Sequence, residues 1–173
     1  MSMHVLAGGG VVKVRGVAPG DEEALRTAFR ELSPESRYQR FLAHIETLSD
    51  DLWRYLCDVD GLDHVALVAF DAGGRRLVGV ARFVRLSLDR ATAEMAVTIA
   101  DDWQRRGLGS LLLGLLIDVA RGRGIVAFVA YALPTNLAVR RLMARHGALG
   151  RRIVGGDEVL WLPLPGTPAE RAA

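Results

Sequence analysis

The chain has 173 residues, 50% hydrophobic and 24% charged, a size and composition that favour one globular domain with its own core. Its net charge of +2 is too small to indicate nucleic-acid binding. The single cysteine excludes an intramolecular disulfide, and the four scattered histidines do not form a zinc-binding pattern, so we expect no metal site.

No membrane segment or secretory signal is expected from the sequence. Residues 1–10 lack a basic stretch followed by an apolar one. The longest apolar run, Leu111 to Ala120, is far shorter than the roughly 20 residues that cross a bilayer. These features predict a cytoplasmic protein that does not contact a membrane.

The first third of the chain predicts one strand and three helices. Residues 1–10, which end in three glycines, are expected to be a flexible tail. A short β-branched stretch then predicts a strand over Val11–Arg15. The first helix follows Pro19, with apolar residues at helical spacing, and Ser33 and Ser49 are suited to cap the second and third helices.

The rest of the chain predicts mainly strands. Continuous or alternating apolar patterns indicate strands at His64–Asp71, Leu77–Leu88, Ala91–Ala100 and Ile125–Tyr131, and one or two more within Arg151–Leu162. Helices are expected up to about Arg121 and over Asn136–His146. Residues 163–173 read as an unstructured tail, which leaves one domain over residues 11–162. This order predicts an α+β sheet with helices on both faces.

One loop has the features of an anion-binding site. Gln104-Arg105-Arg106-Gly107-Leu108-Gly109 follows a strand and opens a helix, whose first N–H groups have no intrahelical acceptor. Two glycines allow a phosphate to approach the backbone closely, and two arginines add positive charge. The loop lacks the lysine of a Walker motif and has a different spacing from the Rossmann fingerprint.

The loop resembles the Gln/Arg-x-x-Gly-x-Gly/Ala signature of the GCN5-related N-acetyltransferases (GNAT), in which it binds the pyrophosphate of acetyl-CoA. Asn136 to Gly147 resembles a second motif of that family, and Leu32 to Phe41 resembles the start of the acetyltransferase domain of bacterial protein-lysine acetyltransferases. The resemblance covers Val11 to Leu162. It implies a mixed, mainly antiparallel sheet of about six to seven strands.

The resemblance also implies site residues. Glu94 would act as the catalytic base, directly or through water; otherwise it is a solvent-exposed glutamate or is paired with Arg82 or Arg90. Strand alternation places it on one face with Ala96 and Thr98. The implied cofactor-binding residues are Val97, Thr98, Ile99, Gln104, Arg105, Arg106, Gly107, Leu108, Gly109, Ser110 and Asn136.

Three of these assignments carry a particular role or an alternative. The strand before the loop is expected to splay from its neighbour, so that the backbone of Val97 to Ile99 binds the pantetheine arm. Ser110 would otherwise only cap its helix, and Asn136 would be an ordinary N-cap.

The chain departs from the family pattern at one chemical position. Many relatives have a tyrosine that protonates the leaving thiolate where this chain has Met143, and a thioether cannot donate a proton. Water, or another group such as Tyr131, would then take that role, or the step needs no help. Met143 is expected to serve packing, and Cys57 to be a small buried hydrophobe.

The resemblance implies an N-acetyltransferase that moves the acetyl group of acetyl-CoA to a primary amine in a ternary complex. A protein lysine is the favoured acceptor, and a small-molecule amine is the competing one. A non-catalytic acyl-CoA-binding module and a nucleotide-binding module remain as other classes. The sequence leaves open whether the protein is a monomer or a homodimer.

Overall fold

The computed structural model describes residues 1–164, and they form five helices and eight strands. The helices are α1 (Glu22–Glu31), α2 (Pro34–Phe41), α3 (Asp50–Cys57), α4 (Leu108–Arg121) and α5 (Leu137–Arg145). The strands are β1 (Ser2–Val5), β2 (Val11–Gly16), β3 (His64–Asp71), β4 (Leu77–Arg85), β5 (Thr92–Ile99), β6 (Ala127–Ala132), β7 (Gly150–Val154) and β8 (Asp157–Pro163).

The eight strands form one sheet in the order β1-β2-β3-β4-β5-β6-β8-β7. All neighbours are antiparallel except β5 and β6, which are parallel and joined through α4. The mixed, mainly antiparallel sheet with helices on both faces is therefore confirmed, with a slightly higher strand count than expected.

The N-terminal segment differs from the expected flexible tail. Ser2–Val5 pairs with β2, Leu6 is buried, and the Gly8 N–H donates to the carbonyl of Arg106 at 3.2 Å. The triple glycine, a hinge by local composition, forms a tight turn that packs on the Gly-rich loop. Long-range pairing, which composition does not encode, orders this segment.

At the other end, β8 reaches Pro163, and Leu164 is 2% exposed in the core. The first two residues of the expected C-terminal tail are thus part of the fold. Residues 165–173 of that tail lie outside the described residues.

One face of the sheet, which we call the α4 face, is covered by α4 and α5. Leu108, Leu112, Leu113 and Leu116 lie at helical spacing on α4 and are at most 1% exposed. They belong to one cluster with side chains of β4, β6, β8 and α5, among them Phe83, Phe128, Leu162 and Met143. Burial of such side chains contributes about 1.5–3 kcal/mol each, so α4 anchors the loop that precedes it.

The opposite face, which we call the α1–α3 face, carries the other three helices. Ser33 and Ser49 cap α2 and α3 as expected, since their side chains accept from the N–H groups of Ser36 and Leu52. Leu25, Phe29, Trp53 and Leu56 pack on β3 and β4 in a second cluster. The two layers of helices therefore hold the sheet from both sides.

Candidate functional site

The sheet opens between β5 and β6. Their ladder contains only three pairs, Thr92–Ala127, Ala93–Phe128 and Glu94–Val129. Beyond Glu94 the edge of β5 that faces β6 has no strand partner, while its other edge stays paired with β4 up to Ile99. The expected splay is present. Successive residues of a strand direct their backbone groups to opposite edges, so the N–H and C=O groups of Met95, Val97 and Ile99 face the gap, whereas those of Ala96 and Thr98 face β4.

The Gly-rich loop lies at the open end of this gap and leads into α4. Gly107 is the N-cap of α4, has a φ of 91°, and contributes no side-chain cap. The N–H groups of Leu108, Gly109 and Ser110 have no intrahelical acceptor, and none is supplied within residues 1–164. These aligned donors at the positive end of a helix dipole fit a phosphate group.

The side chains of the loop fall into two groups. Gln104 Nε2 donates to Asp101 Oδ1 at 3.0 Å and to the Ile99 carbonyl at 3.3 Å, so this side chain braces the loop. Arg105 and Arg106 are exposed, and the Arg106 guanidinium lies 5.3 Å from the centre of the Trp103 ring. The two arginines are thus free to meet an anion from solvent.

The other residues expected at the cofactor present mainly their backbone. The side chains of Val97 and Ile99 pack on the core of the α4 face, and Leu108 is 1% exposed. The Ser110 hydroxyl lies 2.9 Å from His146 Nε2. The structure brings these residues and the loop to one gap.

Asn136 serves as the N-cap of α5. Its Oδ1 accepts from the Val139 N–H at 3.1 Å, and the side chain is 9% exposed. The ordinary capping function is therefore observed. The Nδ2 group donates no bond to the described residues, so it remains available for a ligand.

Glu94 lies at the point where β5 and β6 part, and its side chain is exposed. It is not paired with either expected arginine: Arg82 contacts the Leu56 carbonyl and His64 Nε2, and Arg90 binds Asp63. Arg40 of α2 is instead the cation whose charge interacts with Glu94. An exposed carboxylate at the opening of a splayed sheet can accept a proton from a ligand.

A cavity of about 70 Å³ lies between the α1–α3 face and its helices. Its walls are mainly apolar, and its polar lining comes from Arg40, Arg82 and Thr98. Thr98 belongs to the same face of β5 as Glu94, as the alternation predicts. The cavity is therefore on the Glu94 side of the sheet.

Three residues of this region were not expected to belong to the site: Arg82 was considered only as an ion-pair partner of Glu94, and Asp101 and Arg40 were given no role. Arg82 is 6% exposed, and burial lowers the pKa of its guanidinium to about 10, with the charge of Arg40 as a smaller cause. The sequence feature that could have indicated Arg82 is the presence of an arginine in an otherwise apolar strand. Asp101 accepts from the Ser33 N–H at 2.7 Å and from Gln104, which ties the start of α2 to the loop. Arg40 had no such signal.

Met143 and Cys57, which were expected to serve packing, are both buried. Met143 is 0% exposed in the main core, and Cys57 is buried, which raises the pKa of its thiol. His64 is buried beside Arg82, and burial lowers the pKa of its imidazole, with Arg82 as the second cause. Tyr131 is 47% exposed and shares the sheet face of Glu94, since Val129 is opposite Glu94.

Two kinds of feature are absent from the described range. No group of three or more His, Cys, Asp or Glu residues there could hold a metal ion. In the same range, no helix combines the length and apolar character needed to cross a membrane.

Residues 23–148 match the family model described as acetyltransferase (GNAT) family. The curated acetyltransferase Pat of Mycolicibacterium smegmatis is 38% identical over 136 residues, which is 79% of this chain. The matched region is 40% of the length of that relative, so the chain corresponds to only part of it.

Solved structures show the same architecture. The GNAT domain of S. lividans PAT superposes with a TM-score of 0.87 at 30% identity, over 94% of this chain and 96% of that one. A GNAT superfamily phosphinothricin acetyltransferase from Sinorhizobium meliloti, in complex with acetyl-CoA, has a TM-score of 0.75 at 16% identity, over 91% of each chain. The second likeness concerns the fold alone.

Proposed function

The chain belongs to the acetyltransferase (GNAT) family, and from that premise we propose that it transfers the acetyl group of acetyl-CoA to a primary amine, with a protein lysine as the acceptor. Family membership supports the enzyme class expected from the sequence. The observation that carries the proposal is the joint position of three features: the β5–β6 gap, the unpaired N–H groups at the start of α4, and Glu94 at the inner end of the gap.

The loop and the gap would hold acetyl-CoA in two parts. The N–H groups of Gly107 to Ser110, with Arg105 and Arg106, would bind the pyrophosphate. The backbone of Val97 and Ile99, which faces the gap, would pair with the pantetheine arm, whereas the backbone of Thr98 faces β4 and leaves only its side chain for a ligand. When bound, acetyl-CoA supplies the thioester that is attacked, and a β5 N–H directed at the carbonyl oxygen would stabilise the charge that develops there.

Glu94 would act as the base. A lysine-type ammonium has a pKa of about 10.4 and must lose a proton before its nitrogen can attack. The carboxylate is exposed at the opening and can take that proton directly or through a water. Since Met143 is buried and cannot donate a proton, Tyr131 or water would protonate the departing thiolate.

The resemblance of one segment to bacterial protein-lysine acetyltransferases supports a lysine acceptor. The segment resembling bacterial protein-lysine acetyltransferases, Leu32 to Phe41, forms the start and body of α2, and Asp101 connects it to the Gly-rich loop. This segment would therefore form part of the side of the opening at which the acceptor binds.

Glu94→Gln tests the proposal, since it removes the base and keeps nearly the same volume. We expect kcat/KM for an acceptor amine that the wild type acetylates to fall by about 10²–10⁴-fold, a typical contribution of a general base. Binding of acetyl-CoA, measured by calorimetry, should remain unchanged. Arg90→Gln, which alters an exposed arginine bound to Asp63, is the matched control.

The outcomes separate the competing functions. Binding of acetyl-CoA without acetylation of any lysine peptide or small amine by the wild type would indicate an acyl-CoA-binding module. Acetylation of free amines but not of lysine peptides would replace the protein lysine by a small-molecule acceptor. Unchanged kcat/KM in Glu94→Gln would exclude Glu94 as the base.

A further inference from the structure

The cavity on the Glu94 side contains more positive than negative charge. Arg40 and Arg82 both line it, and their guanidinium charges act on each other. Arg82 is 6% exposed, and its hydrogen-bond partners, the Leu56 carbonyl and His64 Nε2, carry no negative charge. Within residues 1–164 Arg40 has no hydrogen bond or ion pair; its guanidinium lies over the Phe41 ring at 4.8 Å.

Glu94 is the one carboxylate whose charge acts on this pair, and it acts on Arg40. Of the two arginines, only Arg40 therefore has an anionic neighbour among the described residues, and that neighbour is Glu94. That anion would be neutralised each time Glu94 accepts a proton. Buried charges are costly unless they are paired, and the mainly apolar walls of the cavity increase that cost.

The position of Arg82 relative to Glu94 sets the spacing of a ligand. Arg82 is opposite Ala96 in the β4–β5 ladder, two residues from Glu94, and both side chains belong to the same sheet face. Such diagonal neighbours are about 7–8 Å apart. A ligand with an amine at Glu94 and an anionic group at the arginines must therefore carry the two groups several bonds apart.

We propose that Arg40 and Arg82 bind a carboxylate of the acceptor, while its amine lies at Glu94. This inference rests on the proposed acetyl transfer and adds the chemical class of the acceptor: an amine that carries a carboxylate. The planar guanidinium fork matches the two oxygens of a carboxylate. The cavity volume of about 70 Å³ is well above the roughly 10–15 Å³ that one water needs.

The carboxylate has two possible sources, a free amino acid or an acidic residue beside the target lysine in a protein. Matched acceptors distinguish them. Nα-acetyl-lysine and its amide differ only in the carboxylate, and two lysine peptides can differ only by Glu or Gln next to the lysine. In the wild type, kcat/KM should be at least about 10-fold higher for the member that carries the carboxylate, in at least one of the two pairs. This is the factor expected for a charge-assisted hydrogen bond.

Arg40→Gln and Arg82→Gln should reduce that preference to about one. The preference compares two acceptors within one variant, so a change in kcat/KM that is common to both acceptors does not affect it. Arg90→Gln should keep the preference, because Arg90 is bound to Asp63 outside the cavity. Replacement of the buried Arg82 can unfold the protein, which thermal melting would show, and the half-buried Arg40 then provides the decisive variant.

A binding measurement separates this inference from the proposed function. N-acetyl-norleucine has the carboxylate but no side-chain amine, so its affinity relative to its amide does not depend on turnover. Preference for the acid, lost in Arg40→Gln, supports the inference even if no amine is acetylated. Equal affinity for acid and amide, or equal kcat/KM within both acceptor pairs, would overturn it and leave acetyl transfer standing.

Discussion

Gly107→Ala is the most informative test of the Gly-rich loop. Gly107 has a φ of 91° and a ψ of −4°, in the left-handed region, and it is the N-cap of α4. An added Cβ would meet nothing closer than Ala7 N at 3.9 Å, so the substitution causes no clash. Its cost is therefore conformational, about 1–2 kcal/mol for a non-glycine residue held in this region.

This conformational cost should lower either the free energy of unfolding or the affinity for acetyl-CoA. If the loop keeps its shape, the free energy of unfolding should fall by about 1–2 kcal/mol, and Tm by about 2–8 °C for a protein of this size. If the loop rearranges to relieve the strain, stability should be retained and the affinity for acetyl-CoA should fall by about 5–30-fold. Urea unfolding and calorimetry on the same protein preparation measure both.

Gly109→Ala is the matched control. Gly109 lies in the first turn of α4 without a positive φ, and its added Cβ would make ordinary contacts of 3.8 Å with Ile99 and Leu142. This substitution should stabilise the protein by up to about 1 kcal/mol, in contrast to Gly107→Ala. The reasoning would be refuted if Gly107→Ala changed neither stability nor affinity, or if both variants behaved alike.

Two further predictions concern ionic contacts. Arg15 donates to both oxygens of Asp21 at 2.6 Å and so lowers the pKa of that carboxyl. The stabilisation is present above the unfolded pKa of about 3.9 and is lost as pH falls through the lower folded value. Asp21→Asn should thus cost about 1.5–3 kcal/mol at pH 7 and clearly less at pH 3 in urea unfolding, and an equal cost at both would contradict this. Asp101→Asn, which weakens the bonds to Ser33 and Gln104, should lower acetyl-CoA affinity in calorimetry. Asp102→Asn, which removes a half-exposed pair with Arg76, should not, and equal losses in both would argue against a bracing role.

Local sequence patterns predicted most elements because their signals are local. His64–Asp71 matches β3 at both ends, and the serine caps of α2 and α3 are observed. The helix after the Gly-rich loop ends at Arg121 as expected. The N-terminal strand was missed, since four residues before a triple glycine carry no periodic signal and are ordered only by pairing with β2.

The site likewise contains residues that local motifs predicted and residues that only folding brings together. The loop, the strand before it and Glu94 were identified from motifs that lie within a few residues of one another. The arginines were not, since Arg40 is on α2 and Arg82 on β4, and only folding brings both to one cavity. Sequence reasoning suggested Arg82 or Arg90 as a partner of Glu94, whereas Arg40 is the cation whose charge acts on it.

The sequence by itself determined the family, the order of the elements after the N-terminal strand and the position of the Gly-rich loop, because helix caps, strand alternation and a Gly-rich turn act over a few residues. The tertiary structure decided how the N-terminal strand packs on the loop, where β5 and β6 part, and which charges share the cavity. Those features depend on contacts between residues far apart in the chain, and such contacts exist only once the sheet has formed.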